Sequence, residues 1–295
     1  MAKPIHLVVG ADGLVGAALF RRLRKAEVYA AATTRRRENV REDCIYLDLV
    51  EKAGGWEWPW PIQVAIICAG ITKAQACKDD PNSTAITNVH GISTLIGSLV
   101  AAGAFVVFLS TNQVFDGARP CQLPGAPFAP ITEYGRQKAQ VEEQMAQYGN
   151  SVAIVRFSKI LGPQPALIPA WVDNLRSGKP IHPFSDMTMA PIPLSCAVSV
   201  LLFAAQFRLG GIIQVSGQED IPYSDAACIG ATALGIDAQL VQPVTAAELG
   251  TYTEPVPAFT SLNVDRLREE FGLVPPDVLW TIEAAFANPQ LLEGA

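Results

Sequence analysis

The chain has 295 residues, 49% of them apolar and 17% charged, which describes a globular protein with a sizeable core in one large domain or two smaller ones. The net charge is −6, and no basic stripe extends beyond Arg35–Arg37, so nucleic acid and an anionic membrane are not expected as partners. We expect no signal peptide, because Met1–Pro4 lead directly into an apolar strand, and no apolar run of membrane-spanning length.

The six cysteines and three histidines show no CxxC pair and no metal-ligand spacing, which argues against a structural zinc site. Several cysteines fall in apolar, strand-like runs and are typical of small core residues. Reduced thiols are typical of the cytosol, where we therefore expect the protein.

The first motif is an apolar run followed by a glycine-rich turn, Ile-His-Leu-Val-Val-Gly-Ala-Asp-Gly-Leu-Val-Gly over 5–16. It predicts a buried strand, a tight turn and a helix from Leu14 to Lys25. Free backbone N–H groups and the helix dipole at such a turn favour the binding of a pyrophosphate group. The spacing G-x-x-G-x-x-G differs from the usual dinucleotide fingerprint, so an ordinary strand-to-helix turn stays an alternative. The residues expected to contact a cofactor here are Gly10, Asp12, Gly13, Leu14, Val15 and Gly16.

A second strand, predicted over Val28–Ala32, is followed by Thr33-Thr34-Arg35-Arg36-Arg37. In a dinucleotide fold the residue that closes this strand meets the adenosine ribose, and an acidic residue there binds the free 2′-hydroxyl of NAD. Because this stretch holds arginines and no acidic residue, we interpret it as a site for the 2′-phosphate of NADP, with Thr34 and Arg35 as contacts. A solvated basic turn is the alternative.

Two further strands are predicted to end at the cofactor. The strand Cys44–Leu47 ends at Asp48-Leu49, where Asp48 could accept a hydrogen bond from an adenine amino group or cap a turn. The strand Val64–Cys68 ends at Ala69-Gly70, whose small side chains let a cofactor approach the sheet edge closely.

The next elements complete the predicted sheet. A long helix, Ser83–Ala102, precedes a strand, Phe105–Leu109, and a helix that opens near Thr132 precedes a strand, Val152–Arg156. Six strands alternating with helices predict an α/β fold, a Rossmann-type doubly wound parallel sheet. Prolines interrupt the pattern after Gly162. We therefore expect an NAD(P)-binding domain of 1–161 plus about 190–217, and a smaller C-terminal substrate lobe of about 162–189 plus 218–295.

Tyr134 and Lys138 lie four residues apart on a predicted helix, so both side chains project from one face. A nearby ammonium favours the phenolate, which predicts a pKa for Tyr134 below its ordinary value of about 10. Such a tyrosine can donate or accept a proton, and Thr111 could hydrogen-bond the same substrate oxygen beside a nicotinamide. A surface Tyr–Lys pair is the alternative, but the glycine loop and Ser110-Thr111 favour the catalytic interpretation.

These motifs resemble the extended short-chain dehydrogenase/reductase superfamily, and within it the dTDP-4-dehydrorhamnose reductase (sugar-nucleotide reductase) branch. The resemblance covers nearly the whole chain, and the segments that carry it most clearly are Gly10–Gly16, Asn88 with Gly91, Ser110–Gly117, Tyr134–Lys138 with Glu142, and Arg156–Gly162.

The resemblance implies a catalytic trio of Thr111, Tyr134 and Lys138, with Tyr134 as proton donor and Lys138 also holding the nicotinamide ribose. It implies a pyrophosphate loop of Gly10, Gly13 and Gly16 and a wall at the middle of the cofactor from Ala69 and Gly70. It also implies that Asn88 is structural and orders the neighbouring strand.

Two stretches depart from the pattern of the branch. Asn112-Gln113 stand where Asp-Tyr often follow the threonine, at positions that shape the substrate side. The stretch Glu254–Ser261 has no arginine, which would grip a nucleotide diphosphate bidentately. These departures indicate a different sugar nucleotide, or a substrate without a diphosphate.

The function expected from the sequence is an oxidoreductase that reduces a keto carbon, or oxidises a hydroxy carbon, on a nucleotide-activated sugar. NADP(H) is favoured over NAD(H), with no metal and a possible homodimer. Two alternatives stay open: a nucleotide-sugar epimerase that retains NAD, and an NADP-binding regulatory subunit without turnover. A dehydratase is disfavoured because no acidic residue stands beside Thr111.

Overall fold

The computed structural model describes residues 5–51, 56–163, 167–250 and 255–293. The expectation drawn from Met1–Pro4 and the start of the stretch Glu254–Ser261 lie outside the described residues. All six cysteines are free thiols, and Cys44 and Cys77 are buried, as expected of small core residues.

The described part of the chain alternates between strands and helices. The strands are β1 (Ile5–Val9), β2 (Ala30–Thr34), β3 (Cys44–Tyr46), β4 (Ile62–Ile67), β5 (Phe105–Thr111), β6 (Val152–Phe157), β7 (Ile160–Leu161), β8 (Thr188–Met189), β9 (Ile192–Pro193), β10 (Gly211–Val215) and β11 (Ile221–Pro222). The α-helices are α1 (Leu14–Lys25), α2 (Ala74–Asp79), α3 (Pro81–Ala85), α4 (Ile92–Ala101), α5 (Glu133–Met145), α6 (Leu167–Arg176), α7 (Leu194–Phe207), α8 (Tyr223–Ala233), α9 (Ala246–Leu249), α10 (Asp265–Glu269) and α11 (Val278–Ala287).

Seven strands form one central sheet in the order β10-β6-β5-β4-β1-β2-β3. The β1–β2, β1–β4, β2–β3 and β4–β5 pairs are parallel. The predicted fold, a Rossmann-type doubly wound parallel sheet, is confirmed. The strand order reverses between β1 and β4, and in such sheets ligands bind at the carboxyl ends of the strands beside this reversal.

Apolar runs explain the central strands. Leu7, Val8 and Val9 of β1 are buried, as are Ala65 to Ile67 of β4, because strands in the middle of a parallel sheet are covered on both faces. Leu7, Val9, Ala65 and Ile67 form one hydrophobic cluster with buried residues of α4, and Trp56, Trp58 and Trp60 pack against it.

Strand β2 begins two residues later than the sequence predicts. The Val28 N–H donates to the Leu23 oxygen at 3.0 Å and closes the end of α1, so Val28 belongs to the turn. Pairing with β1 starts at Ala30, which lies opposite His6. As a result, Thr33 and Thr34 are the buried last residues of the strand and not part of the following loop.

The predicted long helix is present but not uniform. It consists of α3, a π-helical segment (Ile86–Gly91) and α4. By length and composition alone, the 21 residues Pro81–Ala101 could cross a membrane, which corrects the expectation that no apolar run reaches that length. Half of its apolar window is buried inside the fold, as in core helices generally.

The chain divides into two compact units. Unit 1 consists of 1–114, 130–156 and 198–213, and unit 2 of 115–129, 157–197 and 214–295. In this division 115–129, 157–161, 190–197 and 214–217 lie in unit 2, whereas the sequence analysis assigns them to the cofactor-binding domain. Unit 2 has its own hydrophobic cluster, in which Trp171 of α6 and Phe286 of α11 pack together. The assignment of the two units to cofactor and substrate stays a prediction.

Candidate active site

Unit 1 contains a cleft of about 310 Å³, which we call the cofactor cleft, at the carboxyl ends of β1, β2 and β4. Eight predicted cofactor residues line it: Gly10, Asp12, Gly13, Thr34, Arg35, Leu49, Ala69 and Gly70. Five others lie outside the lining: Leu14, Val15, Gly16, Asp48 and Lys138.

The three glycines of the loop differ in whether the surrounding protein requires a residue without a side chain. Gly10 adopts a φ of +89°, and a Cβ there would lie 2.8 Å from the backbone of Ala69. A Cβ on Gly16 would overlap the Gly10 carbonyl oxygen, so Gly16 permits the close packing of α1 on β1. A Cβ on Gly13 would meet only that same oxygen, at an ordinary 3.6 Å. Protein packing therefore demands glycine at positions 10 and 16 but not at 13.

Some backbone N–H groups of this loop are hydrogen-bonded within the protein, and others have no acceptor there. The Gly10 N–H donates to Thr33 Oγ1 at 3.1 Å and the Ala11 N–H to the Thr33 oxygen at 3.1 Å. Helix α1 starts after Gly13 without a side-chain cap. The first intrahelical bond of α1 runs from the Ala17 N–H to the Gly13 oxygen, so the N–H groups of Leu14, Val15 and Gly16 have no intrahelical acceptor. The predicted contribution of Leu14 and Val15 is through the backbone, which is consistent with their side chains lying outside the lining.

Asp12 reaches across the cleft to the end of β2. Its carboxylate accepts hydrogen bonds from Thr34 Oγ1 at 2.6 Å, from the Arg35 N–H at 3.3 Å and from Asn39 Nδ2 at 3.0 Å. Burial acts to raise the pKa of Asp12, but these hydrogen bonds outweigh it and the pKa lies below its usual value. An ionised carboxylate therefore stands at the end of β2, although that strand itself carries none.

The three consecutive arginines have separate positions. Arg35 and Arg36 line the cofactor cleft, whereas Arg37 stacks on the ring of Tyr46, 4.2 Å from its centroid. Positive charge therefore does reach the cleft wall at the end of β2, as predicted.

Of the two cofactor contacts predicted at the end of β3, only one lines the cofactor cleft. Asp48 Oδ1 accepts a 2.9 Å hydrogen bond from the Val50 N–H and so caps a turn, the alternative that the sequence left open, while Leu49 lines the cleft. Asn88 is fully buried and holds the loop after β4 through both backbone groups of Ile71, at 2.7 and 2.9 Å. Its predicted structural role agrees with these contacts.

Thr111 is the last residue of β5, and its hydroxyl is bonded locally. Thr111 Oγ1 accepts from the Gln113 N–H at 3.2 Å and contacts Asn112 Oδ1 at 3.3 Å. Gln113 in turn accepts from the hydroxyl of Thr132, the N-cap of α5. A Cβ on Gly135 would overlap the Gln113 oxygen, so the first turn of α5 lies directly against the end of β5.

Tyr134 and Lys138 follow in the first turns of α5 and are both buried. Lys138 Nζ donates to the Leu109 oxygen of β5 at 2.7 Å and lies 6.0 Å from the Tyr134 ring centroid. Cys68, which lines the cofactor cleft, acts to raise the pKa of Lys138. The structure therefore brings Thr111, Tyr134 and Lys138 to the end of β5, beside the cleft.

The predicted pKa of Tyr134 is wrong in direction. Burial raises the pKa of Tyr134 above its ordinary value of 10.0, and burial lowers the pKa of Lys138 to about 8. Desolvation disfavours the charged form of both groups and exceeds the attraction between an ammonium and a phenolate. The Tyr134 hydroxyl makes no hydrogen bond to the residues that the structure describes. At neutral pH, Tyr134 is therefore a protonated phenol.

A buried ion pair supports this end of β5. Glu142 and Arg156 have side chains only 1% exposed, and Arg156 Nη2 donates to Glu142 Oε2 at 2.6 Å. The hydroxyl of Ser110, the neighbour of Thr111, donates to Glu142 Oε1. Glu142 also acts to raise the pKa of Lys138, one turn earlier on α5. The pair thus connects β5, β6 and α5 behind the predicted catalytic residues.

Sequence reasoning missed several residues of the cofactor cleft, among them Thr33, Arg36, Cys68, Ile71 and Thr87. Thr33 and Cys68 stand at the carboxyl ends of predicted strands, a position that could have indicated them. Within the described residues, no group of three or more His, Cys, Asp or Glu side chains could hold a metal ion.

A doubly wound sheet with a glycine loop after β1 and a Tyr–Lys pair one turn apart beside the end of β5 defines an oxidoreductase of the extended short-chain dehydrogenase/reductase type. Residues 5–289 match the RmlD substrate binding domain family, and the chain belongs to that family. The resemblance seen in the sequence is thereby confirmed.

Two proteins similar in sequence carry different names, one a reductase and the other a subunit of a transferase. The chain is 27% identical over 297 residues to the probable low-salt glycan biosynthesis reductase Agl14 of Haloferax volcanii, covering 95% of this chain and 98% of that protein. It is 22% identical over 249 residues to methionine adenosyltransferase 2 subunit beta of Rattus norvegicus, covering 81% and 75%.

Solved structures share the fold. A dTDP-4-dehydrorhamnose reductase from Bacillus anthracis in complex with NADP superposes with a TM-score of 0.82 at 20% identity, covering 97% of this chain and 98% of that one. MoeE5 in complex with UDP-glucose and NAD gives 0.79 at 18% identity, covering 98% of both. These likenesses establish the fold alone.

Proposed function

We propose that the protein is an NADP(H)-dependent reductase of a keto carbon on a nucleotide-activated sugar, with Tyr134 as the proton donor. The observation that carries this proposal is the position of the Tyr134–Lys138 turn. Lys138 donates a hydrogen bond to Leu109 near the end of β5, and Cys68 of the cofactor cleft acts to raise its pKa. A proton donor thus stands beside a cleft suited to a dinucleotide.

The cleft fits a nicotinamide dinucleotide on two observations. Glycine at position 13 is not demanded by packing, and Gly13 lines the cleft, so its missing side chain leaves room for a ligand. The first N–H groups of α1 and the side chains of Arg35 and Arg36 supply hydrogen-bond donors for an anion.

The catalytic residues have distinct parts in this proposal. When bound, a reduced nicotinamide supplies a hydride to a carbonyl carbon. Tyr134 donates its phenolic proton to the carbonyl oxygen, and its raised pKa keeps that proton in place at neutral pH. Thr111 donates a hydrogen bond to the same oxygen. Lys138, with a pKa of about 8, is charged at pH 7 and stabilises the phenolate that results.

The preference for NADP(H) rests on Arg35 and Arg36, and Asp12 works against it. A 2′-phosphate would gain from two guanidinium groups at the cleft wall. The Asp12 carboxylate at the same place would repel it and could instead accept a hydrogen bond from the free 2′-hydroxyl of NAD. The two arginines outnumber the carboxylate, which is why NADP(H) is the coenzyme that we propose.

The substrate class is proposed from family membership and from Agl14, which is named a reductase of glycan biosynthesis. The side chain of Gln113 accepts a hydrogen bond from Thr132, the N-cap of α5, so it takes part in forming the start of that helix. It stands where relatives often carry a tyrosine. We therefore expect a sugar nucleotide other than the usual one of the branch.

Calorimetric titration with NADPH and NADH, after removal of any cofactor that co-purifies, tests the coenzyme assignment. We expect tighter binding of NADPH in the wild type, and loss of that preference on Arg35→Ala. Arg37→Ala is the matched control, because Arg37 stacks on Tyr46 away from the cleft lining. Preference for NADH, or tightly retained NAD, would contradict the assignment and favour the epimerase.

A regulatory subunit without turnover is the second candidate, favoured by the similarity to methionine adenosyltransferase 2 subunit beta. Thr111, Tyr134 and Lys138 are all present at the end of β5, and a purely binding role needs no proton donor. Oxidation of NADPH by a nucleotide ketosugar separates the two candidates. Cytosolic location and homodimer formation stay predictions.

A further inference from the structure

A second cavity of unit 1, which we call the basal cavity, lies at the amino-terminal ends of the strands whose carboxyl ends form the cofactor cleft. Its volume is about 430 Å³, within the range of small-molecule sites. His6 of β1 and Gln63 of β4 face it, each the second residue of its strand. The last turns of α1 and α7 supply the remaining walls.

The polar residues of the basal cavity are hydrogen-bond donors. They are His6, Arg22, Gln63, Gln206 and Arg208. Among the described residues that line the cavity, none is acidic. The rest of the lining is apolar, including Leu23 on α1 and Leu202 on α7. Two guanidinium groups and apolar side chains thus line the same cavity.

Arg208 occupies a position that favours glycine. It directly follows α7 and has a φ of +49°, a left-handed conformation that costs a residue with a Cβ conformational energy. Elsewhere the chain places glycine with positive φ just after a helix, as at Gly178, Gly235, Gly250 and Gly272. Its side chain makes no hydrogen bond or ion pair with the described residues.

His6 is the only polar residue of β1 and is half-buried. Burial lowers the pKa of His6, and the charge of Arg208, which lines the same cavity, lowers it further, so the neutral imidazole is favoured. A neutral imidazole offers one donor and one acceptor next to the guanidinium.

We propose that the basal cavity binds a small organic anion, with a phosphate or carboxylate head held by Arg22 and Arg208 and an apolar body packed on Leu23 and Leu202. Both heads accept the paired hydrogen bonds that guanidinium groups donate. The site is separate from the cofactor cleft, and the proposal does not rest on the proposed function.

Phenyl phosphate is a suitable probe, because it joins an anionic head to an apolar ring. Calorimetry is performed on the full chain in the absence and presence of saturating NADPH, and on the Arg35→Ala variant. We expect binding in all three. We expect Arg22→Gln and Arg208→Gln each to weaken it by about tenfold or more, since each removes a charge-assisted contact. Arg21→Gln, next to Arg22 but outside the lining, removes the same charge and should leave binding unchanged.

Further probes test how much the anionic head and the apolar body of the ligand each contribute to binding. Phenol and inorganic phosphate should each bind at least about tenfold more weakly than phenyl phosphate, since each lacks one half of the recognised group. Benzoate in place of phenyl phosphate then tells whether a carboxylate or a phosphate is the preferred head. Unchanged NADPH affinity and melting temperature show that each variant is folded.

Three results would overturn the proposal. They are displacement of phenyl phosphate by NADPH, an equal loss of affinity in Arg21→Gln, and absence of binding to the wild type. The first would place the anion in the cofactor cleft, and the second would mean that only net charge matters.

Discussion

The carboxylate of Asp12 accepts a 2.6 Å hydrogen bond from the hydroxyl of Thr34, a residue 22 positions later in the chain. This contact brings a negative charge from the glycine loop to the end of β2, where the sequence shows only arginines. We therefore propose that coenzyme preference in this protein depends on the balance between Asp12 and the Arg35–Arg36 pair.

Asp12→Asn should shift the coenzyme preference toward NADPH. The amide oxygen can still accept from Thr34, so the loop is kept, while the repulsion of a 2′-phosphate is removed. We expect NADPH affinity to rise by about tenfold and NADH affinity to change by less than about threefold. Asp43→Asn, which removes a charge paired with Arg24 and Arg41 outside the cleft lining, is the control. Weaker NADPH binding by Asp12→Asn would show that the carboxylate is needed for the coenzyme.

Gly16→Ala and Gly13→Ala should separate folding from coenzyme binding. A Cβ at position 16 would overlap the Gly10 oxygen, so α1 must move away from β1 and the melting temperature should fall by several degrees. A Cβ at position 13 meets only an ordinary contact at 3.6 Å, so stability should be kept while coenzyme affinity falls. Thermal unfolding and calorimetry check both variants. Equal destabilisation of the two would contradict the packing that we describe.

Lys138→Met should remove a pH dependence of stability. The pKa of Lys138 falls from 10.5 to about 8 on folding, so between these values the unfolded chain binds the proton more tightly. Stability that Lys138 costs below pH 8 is therefore regained as the pH rises toward 10.5. Relative to Lys138→Met, the wild type should gain about 2 kcal/mol between pH 8 and 10 in urea unfolding. Parallel pH profiles of the two proteins would contradict the burial of a charged Lys138.

Glu142→Leu should strongly destabilise unit 1. It leaves the Arg156 guanidinium buried without its carboxylate, which typically costs about 3–5 kcal/mol. Glu270→Leu removes one partner of an exposed pair with Arg266 and should change stability by less than about 1 kcal/mol. Equilibrium unfolding in urea compares the variants. A loss in Glu142→Leu no larger than in Glu270→Leu would mean that the buried pair contributes little.

The fold was predictable because buried parallel strands appear as short apolar runs between helical patterns. Leu7–Val9, Val64–Cys68 and Phe105–Leu109 all mark real strands within two or three residues at each end. The ends were less predictable since pairing decides them. Val28 is apolar but is used by the end of α1, so β2 starts at Ala30.

The candidate site was predictable where a residue acts through its position on an element, and not where it acts through a distant contact. That Tyr134 and Lys138 share one face of a helix follows from their spacing, and the glycine loop and Ser110-Thr111 favoured their interpretation as a site. The reach of Asp12 to Thr34 and the burial that raises the pKa of Tyr134 depend on the folded chain, so neither could be derived from local pattern.

The most direct test of the central claim is the oxidation of NADPH by nucleotide 4-ketosugars, measured for the wild type and for Tyr134→Phe. Tyr148→Phe, a substitution outside the site, is the matched control. We predict turnover by the wild type and by Tyr148→Phe. In Tyr134→Phe we predict a loss of about 10²- to 10⁴-fold in rate, with unchanged NADPH affinity. Tight binding of NADPH without oxidation by any ketosugar, or an unchanged rate in Tyr134→Phe, would contradict a reductase that uses Tyr134 as its proton donor.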